Sequence, residues 1–168
     1  MIEGTLFFVH YALLLLFGIM LSVSSAGVEL SFRKNIVITF LLFAVCGTLQ
    51  IILYLLLDEA LVWKLYPLIV HLPVVFLLCL YYHKKIITAL ASVSSAYLCC
   101  QPAKWIGLLC KHITQSYIAE QIARIVTLFL GGFIALRYIA PSLLRLFNKD
   151  FRSVCVLGMI PMFYYLFD

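Results

Sequence analysis

The segment "IVITFLLFAVCGTLQIILYLLL", residues 36–57, decides the class of fold. It lies between the basic pair Arg33 and Lys34 and the acidic pair Asp58 and Glu59, and it contains no charged residue. A helix needs about 20 mostly apolar residues to cross the hydrocarbon of a bilayer. The segment meets this requirement, and we therefore predict that it forms a transmembrane helix.

The composition of the whole chain predicts the same class. Of its 168 residues, 65% are hydrophobic and 11% are charged, whereas a soluble domain is about half apolar and about a quarter charged. Because a water-soluble fold could not bury this much apolar surface, we predict an integral membrane protein. The net charge of +5 does not indicate a nucleic-acid partner, because the cations are scattered between apolar runs.

Further apolar runs repeat the pattern and predict an all-α protein with about six transmembrane helices in a single multi-pass domain. The predicted helices span residues 5–24, 36–57, 65–82, 86–107, 118–140 and 154–168. The connections are short, so neighbouring helices should be antiparallel. Small residues before Gly27 suit a signal-peptide cleavage site, but the start carries Glu3 and no basic residue. We therefore expect the first helix to be retained.

The distribution of cations predicts the orientation. Loops after the odd-numbered helices carry most of the cations, namely Arg33, Lys34, Lys84, Lys85, Arg145, Lys149 and Arg152. Loops after the even-numbered helices carry Lys64 and Lys111 beside acidic residues. An excess of Lys and Arg marks the cytoplasmic side. The amino terminus is therefore predicted to lie outside the cell, and the loops after the odd-numbered helices to lie on the cytoplasmic side of the lipid bilayer.

Polar side chains in the predicted outer halves of the helices are candidates for ligand binding, because polar groups are costly inside a membrane. This set comprises Gln50, His71, Gln101, Lys104 and Arg124. The alternative for His71 is a structural, hydrogen-bonded histidine. Glu120 precedes Arg124 by four residues, the spacing of a helical ion pair, and this pair could simply mark the interface. His10 is interpreted as a packed or interfacial side chain.

Prolines and small residues predict details of the helices. Pro67, Pro73 and Pro102 are predicted to kink them, since proline removes a backbone donor and clashes with the preceding turn. Small residues let helices approach closely, and we assign this packing role to Thr88, Ser92, Ala96, Gly131 and Gly132.

The sequence offers no catalytic or metal-binding motif. It contains no GxSxG, HExxH or phosphate-binding loop and no pair of carboxylates within a predicted span. The six cysteines show neither CxxC pairs nor zinc-ligand spacing. We interpret them as packing residues with free thiols.

Three segments resemble the membrane sensor region of GHKL-type sensor histidine kinases, relatives of bacterial quorum-sensing receptor kinases. They are "LYPLIVHLPVV" (65–75), "ALASVSSAYLCCQPAKWIG" (89–107) and "MIPMFYYLFD" (159–168). The resemblance implies a sensory domain in the bacterial cytoplasmic membrane that detects an extracellular small molecule or peptide. It also implies a homodimer and a response regulator as partner.

The same resemblance implies that catalysis lies outside this chain. A seventh helix and a cytoplasmic kinase domain using ATP and magnesium would follow Asp168, and the sensor half itself would hold no cofactor. His83 lies in too short a loop to serve as the phosphoacceptor. One alternative is a small transporter component, such as a vitamin-binding subunit of an energy-coupling uptake system. Another is a structural membrane protein.

Overall fold

The structure is a computed structural model that describes residues 2–57 and 59–149, together with positions 154, 155, 159 and 163. Within these residues the chain is almost entirely helical and contains no strand. Five of the described helices are long and apolar enough to cross a membrane. This confirms the predicted all-helical class. The predicted sixth helix, 154–168, lies almost wholly outside the described residues.

The five long helices are numbered α1 to α5. Three of them are regular α-helices: α1 (Ile2–Ser25), α2 (Arg33–Leu56) and α4 (Ile86–Thr114). The other two contain π-helical segments. Helix α3 consists of Glu59–Tyr66, the π segment Pro67–His71, Leu72–Phe76 and the π segment Leu77–Tyr81. Helix α5 consists of Tyr117–Ile134, the π segment Ala135–Ile139 and Ala140–Lys149.

Two helices extend beyond their predicted ends. Helix α4 was predicted to fade at Gly107 but continues to Thr114, and it ends where Gln115 adopts a left-handed conformation with φ of 52°. Pro102 lies inside this continuous helix. Helix α5 was predicted to end at Ala140 but continues to Lys149. Local polarity after the apolar run misled the prediction in both cases, because a helix can leave the apolar zone without ending.

Two π segments are explained by prolines that follow them. Pro73 has no N–H to bond the carbonyl of Ile69, the residue four positions earlier, which is the centre of the π segment Pro67–His71. Pro141 likewise has no N–H to bond the carbonyl of Arg137, which is the centre of the π segment Ala135–Ile139. A wider turn lets later N–H groups reach the carbonyls that a proline leaves without a donor.

Helix α1 is central and contacts every other helix, with Leu15, Ile19 and Val23 almost fully buried. Helix α4 packs most closely against α5 and α1. Its buried positions are mostly small residues: Ala89, Ala91, Ser92, Ser95, Ala96, Ala103 and Gly107. These small residues let the backbones approach, as predicted for Ser92 and Ala96. Thr88, assigned the same role, is half-buried.

The outer surface of the bundle is strongly apolar. Helix α2 buries only Thr39, Cys46 and Gln50, while Leu55 is 78% exposed. Ile113 on α4 is 71% exposed. A soluble monomer rarely exposes contiguous apolar surface on this scale. The described helices therefore present apolar side chains on their outer faces, while a few polar side chains such as Gln50 are buried.

The two glycines assigned to packing in α5 differ in their surroundings. A Cβ atom built on Gly132 would lie 2.5 Å from Cδ1 of Phe17, so α1 crosses α5 closely at this point. A Cβ atom built on Gly131 would meet no atom within 4 Å. The close approach is therefore made at Gly132.

This difference yields a matched pair of substitutions. We expect Gly132→Ala to lower the free energy of unfolding by about 1–3 kcal/mol, because it overpacks the contact with Phe17. We expect Gly131→Ala to leave stability unchanged or raise it by up to about 1 kcal/mol through helix propensity. Unfolding by sodium dodecyl sulfate in mixed micelles measures both. Equal effects of the two substitutions would contradict the assigned crossing point.

Candidate functional site

The turn between α4 and α5 brings charged residues together. Gln115 closes α4, and the hydroxyl of Ser116 accepts a hydrogen bond from the backbone N–H of Ala119 at the start of α5. The turn thus folds the last part of α4 against the first part of α5. Lys111 and Glu120, which flank the turn, face each other as a result.

The buried carboxylate of Glu120 is the centre of an ionic cluster that extends to the exposed Lys111. Glu120 as a whole is only 3% exposed. Nη2 of Arg124 donates a hydrogen bond to Oε1, as the four-residue spacing predicted. Nζ of Lys111 lies 3.1 Å from Oε2. Two cations therefore share one buried carboxylate.

Gly107 makes room for Arg124. A Cβ atom built on Gly107 would overlap the Cγ and Nε atoms of the Arg124 side chain. The aliphatic part of Arg124 therefore crosses α4 at Gly107, where any residue other than glycine would place its side chain. This contact fixes the guanidinium between α4 and α5.

The ionic cluster forms part of the wall of a cavity of about 730 Å³. Helices α1, α3, α4 and α5 all contribute to the wall. Ligand sites in proteins are typically cavities of about 300–1,000 Å³, mostly apolar with a few convergent polar groups. Both the volume and the composition of this cavity fall within that description.

The cavity is polarised along the bundle. Its charged end is lined by Lys64, Lys104, Lys111, Glu120 and Arg124. Its apolar end is lined by Leu14, Ile19, Val70, Val74, Val93 and Ala96. On α1 the lining runs from Phe7 to Ser22, a distance of about 22 Å at 1.5 Å per residue. The cavity is therefore long enough for an extended molecule.

Several buried polar atoms in the cavity wall have no hydrogen-bond partner within the described part of the chain. They are His10 Nδ1, Gln101 Oε1, Gln121 Oε1 and Arg124 Nε. Burying such a group unsatisfied costs about 1–3 kcal/mol. A wall that contains several of them is suited to a polar guest.

Four of the five predicted site residues line this one cavity: His71, Gln101, Lys104 and Arg124. The ring of His71 packs edge-on against Tyr66 and Tyr97, with centroids 5.2 and 5.7 Å away. Gln50 lies apart. It is buried on α2 and is not among the lining residues.

Sequence reasoning did not assign several polar lining residues to the site, namely His10, Ser22, Lys64, Lys111, Glu120 and Gln121. His10 was interpreted as packing, yet it lines the cavity and is 4% exposed. Glu120 was considered only as the partner of Arg124. Lys111 and Gln121 were not considered as site residues, because only the turn between α4 and α5 places them at the cavity. A polar residue on each side of a short turn is the signal that could have indicated them.

The described cysteines have free thiols, and no group of three metal-ligating side chains occurs among the described residues. Comparison with protein-family models, with curated proteins and with solved structures gave no match.

The ionic cluster can be tested by its effect on stability. We expect Arg124→Gln to lower the free energy of unfolding by roughly 3 kcal/mol, because it leaves the Glu120 carboxylate buried with one cation fewer. The double variant Glu120→Gln/Arg124→Gln should recover part of this loss. The exposed Arg137 on the same helix provides the control, since Arg137→Gln should change stability by less than about 0.5 kcal/mol. Unfolding in mixed micelles measures all three. Equal losses for Arg124→Gln and Arg137→Gln would contradict the cluster.

Proposed function

We propose that this chain is a membrane-spanning domain that binds a small ligand in the cavity between α1, α3, α4 and α5. The membrane location is supported by five long apolar helices and by large apolar side chains on their outer faces, such as Phe133 at 66% exposed. A bilayer covers such a surface, and α-helices satisfy their backbone groups internally there.

The orientation that we propose places the charged end of the cavity outside the cell. The opposite end of the bundle carries Arg33, Lys84 and Lys85. At this end, Nζ of Lys84 donates a hydrogen bond to the carbonyl of Gly27 at 3.3 Å. By the positive-inside rule this end faces the cytoplasm. A ligand would then reach the cavity from outside a bacterial cytoplasmic membrane.

The observation that carries the proposal is the convergence of polar groups on one cavity. His71, Gln101, Lys104 and Arg124 come from three different helices and meet at this cavity. Polar residues that merely anchored helices at a membrane surface would point to the headgroups in separate directions.

We propose further that binding serves sensing. The π segment Pro67–His71 contributes Pro67, Val70 and His71 to the cavity wall. Single-turn π segments are frequent at functional sites. A ligand that contacts such a segment can bias the helix between two hydrogen-bonding registers. This is consistent with the resemblance to the sensor region of GHKL-type histidine kinases, which implies a peptide or small-molecule signal, a homodimer and a response regulator.

The transporter component remains the second proposal. The receptor and the transporter component differ in the domains and partners that each would require. A reading frame that continues after Asp168 into a further span and an ATP-binding domain would support the kinase receptor, and a stop codon would contradict it. Purification with an ATPase partner or a bound vitamin would support the transporter.

Two glycines allow a direct test of binding in the cavity. Gly18 lines the cavity, and a Cβ atom built there meets nothing within 4 Å. Gly18→Leu should therefore fill the cavity without a clash in the backbone. Gly131→Leu is the matched control, because Gly131 has equally open surroundings and is not among the lining residues.

The measurement is native mass spectrometry of the detergent-solubilised chain with decanoate, decyl phosphate, decanol and decyltrimethylammonium as probes. We expect at least one probe to form a saturable one-to-one complex with the wild-type chain and with Gly131→Leu. Gly18→Leu should weaken this complex by about tenfold or more, since a blocked cavity loses several apolar contacts. Binding that is unchanged by Gly18→Leu would show that the probe lies elsewhere and would contradict the proposal.

A further inference from the structure

The balance of charge in the cavity wall indicates what kind of ligand it accepts. Four cations, Lys64, Lys104, Lys111 and Arg124, line the cavity, and the one carboxylate among its described lining residues is Glu120. Glu120 pairs with Arg124 and Lys111, and among the described lining residues cations outnumber carboxylates by four to one. Lys64 and Lys111 are exposed at this end of the cavity, where an excess of positive charge attracts anions from the solvent.

The cations are concentrated at one end of the cavity. Lys104 and Lys111 lie on the last part of α4, and Arg124 lies on the first part of α5. Glu120 binds the guanidinium through Nη2 only, and Arg124 Nε has no partner within the described residues. A guanidinium with donors left over is suited to a carboxylate or a phosphate.

The apolar end of the cavity indicates a second property of the ligand. Val74 and Val93 line that end. The nearby lining residues Leu14 and Tyr97 are only partly buried, so they retain apolar surface that a ligand can cover. Burial of apolar area there contributes about 25 cal/mol for each Å². A small inorganic anion would leave this end of the cavity unused.

We propose that the cavity binds an amphipathic anion, with a carboxylate or phosphate head at Arg124, Lys104 and Lys111 and an apolar tail along α1 toward Ile19. This inference rests on the proposed function, because it specifies the ligand of the same cavity. Gln101 and Gln121, whose Oε1 atoms have no partner within the described residues, would accept hydrogen bonds from polar groups near the head.

The same four probes test this inference, because they share one tail and differ in the charge of the head. In nanodiscs of phosphatidylcholine, decanoate and decyl phosphate should bind at least about tenfold more tightly than decanol and decyltrimethylammonium. Lys104→Gln/Lys111→Gln should remove this preference. Lys85→Gln at the opposite end of the bundle is the matched control and should leave it unchanged.

The other outcomes of the binding experiment contradict the anionic head, the apolar tail or the cavity itself. If decanol binds as tightly as decanoate and Gly18→Leu still blocks it, the cavity binds ligands but the anionic head is wrong. If inorganic phosphate displaces decyl phosphate with equal affinity, the ligand is a small soluble anion and the apolar tail is wrong. If no probe binds in a manner sensitive to Gly18→Leu, the proposed function fails together with this inference.

Discussion

The burial of the Glu120 carboxylate constrains the rest of the structure. A carboxylate in an apolar bundle is tolerated only when cations and hydrogen-bond donors surround it. Arg124 supplies one cation from the same helix, and Lys111 supplies another from across the turn. The turn at Gln115 and Ser116 must therefore be tight, so that α4 and α5 remain in register at this end.

The cavity adjoins this ionic cluster. The Arg124 side chain, which pairs with Glu120 on the same helix, packs across α4 at Gly107, where no side chain stands in its way. Close contacts are made at Gly107 with Arg124 and at Gly132 with Phe17, and the cavity lies between α1, α3, α4 and α5. The cavity is polar at its charged end, beside the ionic cluster, and apolar at its other end.

Much of the architecture could be predicted from the sequence, because apolar runs of membrane-spanning length specify helices almost unambiguously. His71, Gln101, Lys104 and Arg124 were grouped by their shared depth in the predicted helices, and the structure places all four around one cavity. Gln50 was grouped with them but does not line the cavity, because depth along a helix says nothing about the face on which a side chain lies. Lys111 was missed because its role depends on a turn, and His10 because a single histidine carries no partner signal in the sequence.

The central claim is that the bundle encloses a water-accessible cavity of positive potential. Thiol labelling in intact membranes tests it directly, using a chain with its native cysteines replaced by alanine. Tyr97→Cys places a thiol in the cavity wall, and Leu90→Cys places one on the outer, 44% exposed face of the same helix. The account predicts that an impermeant anionic thiosulfonate modifies Tyr97→Cys faster than its cationic counterpart does, and that neither reagent modifies Leu90→Cys. Equal inertness of the two positions would contradict the cavity, and faster reaction with the cationic reagent would contradict its charge.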